Sequence, residues 1–152
     1  MRLIRATTDD LALLAPLYDA YRQFYGRAAD PALARRFLAE RLQAAEAVVF
    51  LAVDDDGATG LGFVLLYPSF NSVAARPTWI LHDLFVDPAH RSQGVARALM
   101  EQARSLAMES GADGLSLSTA TDNLRAQSLY EALGYRRDQV FFHYFLRLDD
   151  DS

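Results

Sequence analysis

Apolar and polar positions along the chain follow two periods, and the switches between them mark the elements. Residues 2–6 (RLIRA) read as a short strand. Thr7, Thr8 and Asp9 then offer an N-cap before LALLAPLYDAYRQFY, where apolar residues recur at helical spacing. Pro16 is a kink point in that helix, and Gly26 ends it. Asp30-Pro31 starts a second helix, with Asp at the N-cap and Pro at the first helical position, running through ARRFLAERLQAA. AVVFLAVD and GLGFVLLYPS are β-rich runs, and the Asp55-Asp56-Gly57 turn between them makes a hairpin. A loop over residues 70–77 leads to the strand TWILHDLFVD, which Pro88 stops. VARALMEQARSLAMES is a strongly amphipathic helix closed by Gly111. GLSLSTAT is a strand. Thr121-Asp122 caps the helix NLRAQSLYEAL, which ends at Gly134, and VFFHYFLRL is a final strand. A further short strand fits residues 135–137.

The order β-α-α-β-β-β-α-β-α-β predicts one α/β domain over residues 1–148, followed by an acidic tail at 149–152. The expected sheet is mixed and mostly antiparallel, with six to seven strands and about four helices. With 152 residues, 51% of them hydrophobic, the chain can bury a sizeable core. No window approaches ~18 consecutive apolar residues, so no membrane partner or span is expected. The start MRLIRATTDD lacks an apolar signal region, which makes a cytoplasmic location the expectation. With no cysteine, neither disulfides nor thiolate metal sites can form, and no metal is expected. A net charge of −5 argues against a nucleic-acid partner and is compatible with a cationic substrate.

The stretch HRSQGVARAL, residues 90–99, lies between a strand and a helix. The first N–H groups of a helix have no internal partners and carry partial positive charge, which suits phosphate. Gly94 permits close approach or positive φ, Ala96 leaves room for a ligand on the helix end, and Arg91 adds a full charge. Neither the P-loop Gly-Lys-Ser/Thr nor the dinucleotide GxGxxG is present. A plain strand-to-helix turn with an exposed Arg is the competing reading.

The order of elements and two motifs resemble the GNAT superfamily of acetyl-CoA-dependent N-acetyltransferases. One motif is Arg91-Ser92-Gln93-Gly94-Val95-Ala96. The other is Asn123 at a helix start, Tyr130 seven residues on, then Gly134-Tyr135. The family commonly has Gly directly after the Arg, where this chain has Ser92. The resemblance implies that residues 91–96 bind the pyrophosphate of coenzyme A. It implies that Leu84, Phe85 and Val86 pair with the pantetheine arm, a Phe85 or Val86 N–H polarising the acetyl carbonyl. It further implies that Asn123 hydrogen-bonds the cofactor and that Tyr130 contacts it as acid, donating a proton to the departing thiolate. The alternatives are a helix-start residue satisfying local amides for Asn123 and a core aromatic for Tyr130.

The strand ILHDLFV carries two polar residues in an apolar run, which reads as a central buried strand. His82 there is either a satisfied core histidine or a general base, since the family has Glu or His at that place in polyamine and arylalkylamine acetyltransferases. The chemistry needs a base. An alkylammonium of pKa about 10.4 is neutral in roughly one molecule in 2,500 at pH 7, about 4.6 kcal/mol uphill. Only the neutral amine has the lone pair that attacks a thioester. Asp83 points away from His82 on an ideal strand. It could hold a substrate ammonium only if the strand bulges or splays. Tyr25, at the end of the first helix, and His143, in the final strand, are acceptor-site candidates among the aromatics Tyr21, Phe24, Phe70, Phe142 and Tyr144.

The combination YRQFYG…ARRFLAERL…SLSTATDN…FFHY is similar to the histone- and polyamine-acetylating branch. The expected reaction moves acetyl from acetyl-CoA directly to a primary amine: a polyamine, another small amine or a lysine side chain. A cysteine-linked acetyl-enzyme is excluded by composition. A non-catalytic acyl-CoA sensor of the same fold is the alternative, and a nucleotide- or phosphate-binding protein is the rival outside the family. The apolar final strand also admits the homodimer that is common in the family.

Overall fold

The structure is a computed structural model and describes residues 1–149. The chain divides into two compact units, Met1–Ser118 and Thr119–Ser152. Of the expected acidic tail, residues 150–152 lie outside the described residues.

The first unit holds the sheet. Its strands are β1 (Arg2–Arg5), β2 (Val48–Val53), β3 (Gly60–Asn71), β4 (Arg76–Val86) and β5 (Leu115–Ser116), in spatial order β1-β2-β3-β4-β5. β1 to β4 pair antiparallel, and β5 pairs parallel to β4. The helices of this unit are α1 (Leu11–Phe24), α2 (Pro31–Gln43) and α3 (Val95–Glu109). One core packs α1 and α2 against Val49, Leu51 and Val53 of β2, Phe63 and Leu65 of β3, and Phe85 of β4. Successive strand residues face opposite sides, so Val48, Phe50 and Val64 line the other face. There the buried side of α3 supplies Val95, Leu99, Met100 and Ala103.

Local chemistry explains the helix ends. Thr7 caps a 3₁₀ turn at Thr8–Asp10 in a reciprocal capping box with Asp10. Asp30 accepts from the Leu33 N–H at 3.1 Å, with Pro31 at the first helical position, as its sequence indicates. Asp19, buried on α1, accepts from the Asp30 N–H at 2.9 Å and ties the start of α2 to α1.

Several expectations need correction. Five strands are present among the described residues, not six to seven. The loop expected over 70–77 is mostly ladder, since Phe70 pairs with Pro77 and Asn71 with Arg76. The strand expected over GLSLSTAT is confined to Leu115–Ser116. β4 does place buried side chains on both faces, Leu81 with Leu66 on one and Asp83 and Phe85 with Leu65 and Phe63 on the other, but Ile80 and Leu84 are half-buried and His82 is exposed.

The second unit contains α4 (Leu124–Ala132), capped by Asn123 rather than by Thr121 or Asp122. The Asn123 side chain accepts from the Ala126 N–H at 3.1 Å. Residues 135–137 and 140–148 form no strand. A strand exists only through ladder bonds to a neighbour. Instead, the Asp138 carboxylate takes the Val140 and Phe141 N–H groups in a local turn. The apolar side chains of Val140, Phe141, Phe142, Tyr144, Phe145, Leu146 and Leu148 are exposed.

Candidate active site

The two polar residues of β4 are brought together by a β-bulge. Across the β3–β4 ladder Leu65 pairs with Asp83 and the next residue, Leu66, pairs with Leu81. His82 is therefore the extra residue, opposed by none. On a regular strand neighbouring side chains point to opposite faces. The bulge cancels that alternation, and His82 Nδ1 lies 3.0 Å from Asp83 Oδ1.

Their environments differ. Asp83 is 6% exposed, between Leu81 and Phe85 on the strand, while the His82 side chain is 59% exposed. An ionised carboxylate only accepts hydrogen bonds, so Nδ1 carries the proton and Nε2 keeps its lone pair. The hydrogen bond from His82 to Asp83 raises the imidazole pKa above its ordinary 6.5, against a smaller opposing effect of burial.

Three tyrosines surround the pair. The Tyr67 ring of β3 meets His82 edge-on, with ring centres 5.2 Å apart. Burial, then the negative charge of Asp83, pushes the Tyr67 phenol up to about 12. Tyr21 of α1 is held far above its ordinary 10 by burial first and by its hydrogen bond to Asp83 next. Tyr18, also on α1, is raised by burial and then by Asp83. Of these three the sequence reading singled out Tyr21 alone, as an aromatic, without linking it to Asp83. The signal was present: Phe63, Leu65 and Tyr67 share a strand face, and Tyr18, Tyr21 and Tyr25 recur at helical spacing. Tyr25 itself is 60% exposed, its ring packed edge-on against Tyr21 at 5.1 Å and Phe24 at 5.3 Å.

Beyond His82, β4 offers backbone. Its ladder with β5 pairs only Trp79 and Ile80. From Leu81 to Val86, that edge carries no pairing among the described residues. Leu84, Phe85 and Val86 lie on this stretch. After it, Arg91 donates from Nε to the Val86 carbonyl at 3.2 Å, with its guanidinium 5.9 Å from the Phe85 ring centre.

The turn that follows is left-handed at two positions, Ser92 at φ +64° and Gly94 at φ +81°. Gly94 is the N-cap of α3, and the first helical bond runs from Ala98 N–H to the Gly94 carbonyl. The N–H groups of Val95, Ala96 and Arg97 precede that bond and point out of the helix end. A Cβ at Gly94 would meet nothing within 4 Å, so its glycine serves the backbone angle and leaves open space above the turn. Gln93 lies in the same turn and is exposed. A polar anion with an extended, amide-bearing arm matches this combination of helix end and open strand edge.

The remaining candidates belong to the second unit. Tyr130 on α4 has its ring 6.1 Å from that of Tyr135, whose N–H bonds the Tyr130 carbonyl at 3.0 Å. Asn123 spends its side-chain oxygen on the cap of α4. His143 is 86% exposed, with Nε2 3.7 Å from Asp138 Oδ2. Among the described residues no group of three or more His, Cys, Asp or Glu side chains is arranged to hold a metal.

Comparison with known proteins identifies the family. The model of the acetyltransferase (GNAT) family matches residues 14–135. An uncharacterised N-acetyltransferase of Bacillus subtilis, YhfO, is 40% identical over 148 residues, 97% of this chain and 98% of that one. The crystal structure of a probable acetyltransferase is 43% identical and covers 99% of this chain and 100% of its own, with a TM-score of 0.95. A thialysine N-epsilon-acetyltransferase of Bos taurus is 31% identical over 81 residues, 53% of this chain and 47% of that one. The likeness to the first two runs through both units. With the family model covering most of the chain, the protein belongs to the acetyltransferase (GNAT) family and is an acetyltransferase enzyme.

Proposed function

We propose that the protein transfers an acetyl group from acetyl-CoA directly to a primary amine, either a small amine such as a polyamine or a lysine side chain. The observation that carries this reading is the continuity of one segment. β4 presents the bulged His82, then an unpaired backbone edge, then through residues 91–94 the open first turn of α3. A nucleophile's proton acceptor, a partner for an amide-bearing arm and an anion site follow one another in that order.

The coenzyme's diphosphate takes the N–H groups at the start of α3, with Arg91 beside it. Its amide-bearing arm adds to the free edge of β4 at Leu84–Val86. An N–H of Phe85 or Val86 polarises the acetyl carbonyl and stabilises the charge that develops on its oxygen. His82 Nε2 accepts the proton of the ammonium, directly or through water. The freed lone pair forms the N–C bond as the C–S bond breaks, and the second proton left on the acylated nitrogen passes to solvent, from which the Tyr130 phenol is restored. Tyr130 gives its phenolic proton, or a strong hydrogen bond, to the departing thiolate, and Asn123 holds the cofactor. The exposed Tyr25 ring and His143 are the acceptor-binding groups, an aromatic face suiting an ammonium. The ε-amine chemistry in the name of the Bos taurus relative supports the amine class. Histone- and polyamine-like acceptors, and the cytoplasm as location, complete the proposal.

Release of free thiol from acetyl-CoA on adding a primary amine tests it. Amine-dependent release is expected. Tight CoA binding with no release for any amine would favour the sensor alternative.

A further inference from the structure

The bulge places a buried carboxylate behind an exposed imidazole, an arrangement that base catalysis by His82 alone does not require. We propose that Asp83 is a positioning residue: from its buried place on β4 it fixes the His82 ring with Nδ1 as donor, and so aims Nε2 at the incoming amine. This rests on the reading of His82 as the base, and it gives Asp83 a role other than direct contact with the substrate ammonium.

Three observations carry it. The first is geometric. Adjacent side chains meet at 3.0 Å only because His82 is the extra residue of a bulge, which re-aims it. The second is burial. A carboxylate 6% exposed cannot take up a solvated ammonium, yet its Oδ1 reaches a ring that is itself open to solvent. The third is the shell around it. Tyr21 of α1 also neighbours Asp83, whose hydrogen bond and charge raise its phenol, so the carboxylate has a second partner besides the imidazole. A carboxylate so held selects one tautomer of the histidine and stabilises the imidazolium that forms when Nε2 takes a proton.

The titratable groups around the pair are tyrosines of β3 and α1, and two arginines of α1 and α2 act on those tyrosines. β3 supplies Tyr67, α1 supplies Tyr18, Tyr21 and Arg22, and α2 supplies Arg41. Arg22 and Arg41 lower the tyrosine pKa values that Asp83 and burial raise, so they oppose the carboxylate's effect on the phenols. On His82 the one charged group with a resolved influence is Asp83.

The proton balance is simple. The ammonium N–H bond breaks, Nε2–H forms, and the Nδ1–H stays in its bond to Asp83. The imidazolium then returns its proton to solvent after acetyl transfer.

The test uses the full chain and needs no known acceptor. The chain has three histidines, His82, His90 and His143, and their imidazole resonances are assigned with single His→Gln variants. In the wild-type protein His82 is expected to titrate above 6.5. In Asp83→Asn, which leaves the ring without its anionic partner, the midpoint is expected to fall while the other two stay in place. A wild-type midpoint at or below 6.5, or an unmoved one in a folded Asp83→Asn, overturns the proposal. If that variant does not fold, the wild-type titration decides alone. With an active acceptor in hand, Asp83→Asn is expected to lower kcat/KM on the order of 10- to 100-fold, a typical share of general-base catalysis. The acid limb of its pH profile should move to lower pH, and KM for acetyl-CoA should hold. His82→Ala distinguishes the two levels. A pH profile unchanged by that substitution removes His82 as the base, whereas a moved titration with His82 still required supports both.

Discussion

Gly62 gives the sharpest test of the strand proposed to hold the cofactor. It lies on β3 directly opposite Val86, at the end of the free edge of β4. A Cβ built there would sit 2.6 Å from the Phe85 carbonyl oxygen, 3.1 Å from Val86 Cα and 3.3 Å from Val86 Cγ2. To reach an ordinary contact of 3.4 Å, the β3–β4 spacing must open by about 0.8 Å at Phe85. The obstacle is backbone, which cannot rotate away as a side-chain tip would. Overpacking of this kind costs about 1–3 kcal/mol. For a domain of this size that is a fall in Tm of about 2–12 °C. The Phe85 carbonyl belongs to the same peptide unit as the Val86 N–H, one of the two N–H groups proposed to polarise the acetyl carbonyl. A misplacement near 1 Å in a reacting site can cost on the order of 100-fold in rate. Gly62→Ala is therefore expected to lower kcat/KM for acetyl-CoA by about 10- to 100-fold as well as Tm. Gly114→Ala is the control, because a Cβ there meets nothing within 4 Å. Thermal melting and thiol release, measured on both variants, separate the effects. A Gly62→Ala protein that melts lower but turns over like wild type would refute the placement of the acetyl group at Phe85–Val86.

Two other expectations concern the cofactor motifs. Ser92 holds a left-handed φ of +64°, a conformation that costs an L-residue on the order of 1 kcal/mol, so Ser92→Gly should raise Tm slightly and leave acetyl-CoA affinity intact. A lowered Tm would mean that the contacts of the Ser92 side chain outweigh the strain. Tyr130→Phe should lower kcat with little change in KM for acetyl-CoA. A large loss of cofactor affinity at unchanged kcat would remove the acid role.

Much of this was legible in the chain, and the reasons differ by element. α1 to α4 announce themselves through helical spacing and their Asp, Pro and Gly boundaries, and each lies within a residue or two of its pattern. The turn proposed to bind an anion was legible as a candidate because Gly94 and Ala96 stand at fixed distances from Arg91. The β3–β4 hairpin was underestimated because residues 70–77 read as a loop, although Pro68 and Pro77 themselves lie in the ladder. There Pro68 pairs with Trp79 and Pro77 with Phe70. The bulge could not be read at all. A single extra residue leaves the apolar pattern of ILHDLFV intact, and only register against β3 reveals that His82 and Asp83 meet. The last strand failed for a related reason. Residues 140–148 have strand composition, but a strand needs a ladder partner, which composition does not specify.

The most direct measurement is free-thiol release from acetyl-CoA by the purified protein. Spermidine, spermine, small aryl- and alkylamines, amino acids and lysine peptides would be run in parallel, with the acetylated product identified by mass. The chain has no thiol of its own to contribute. Direct transfer to a primary amine predicts release with at least one of these classes, one acetyl group gained per thiol freed, and a rate that rises with pH as His82 loses its proton. Thiol release without acetylated amine, or no turnover with any of them at saturating acetyl-CoA, would contradict it.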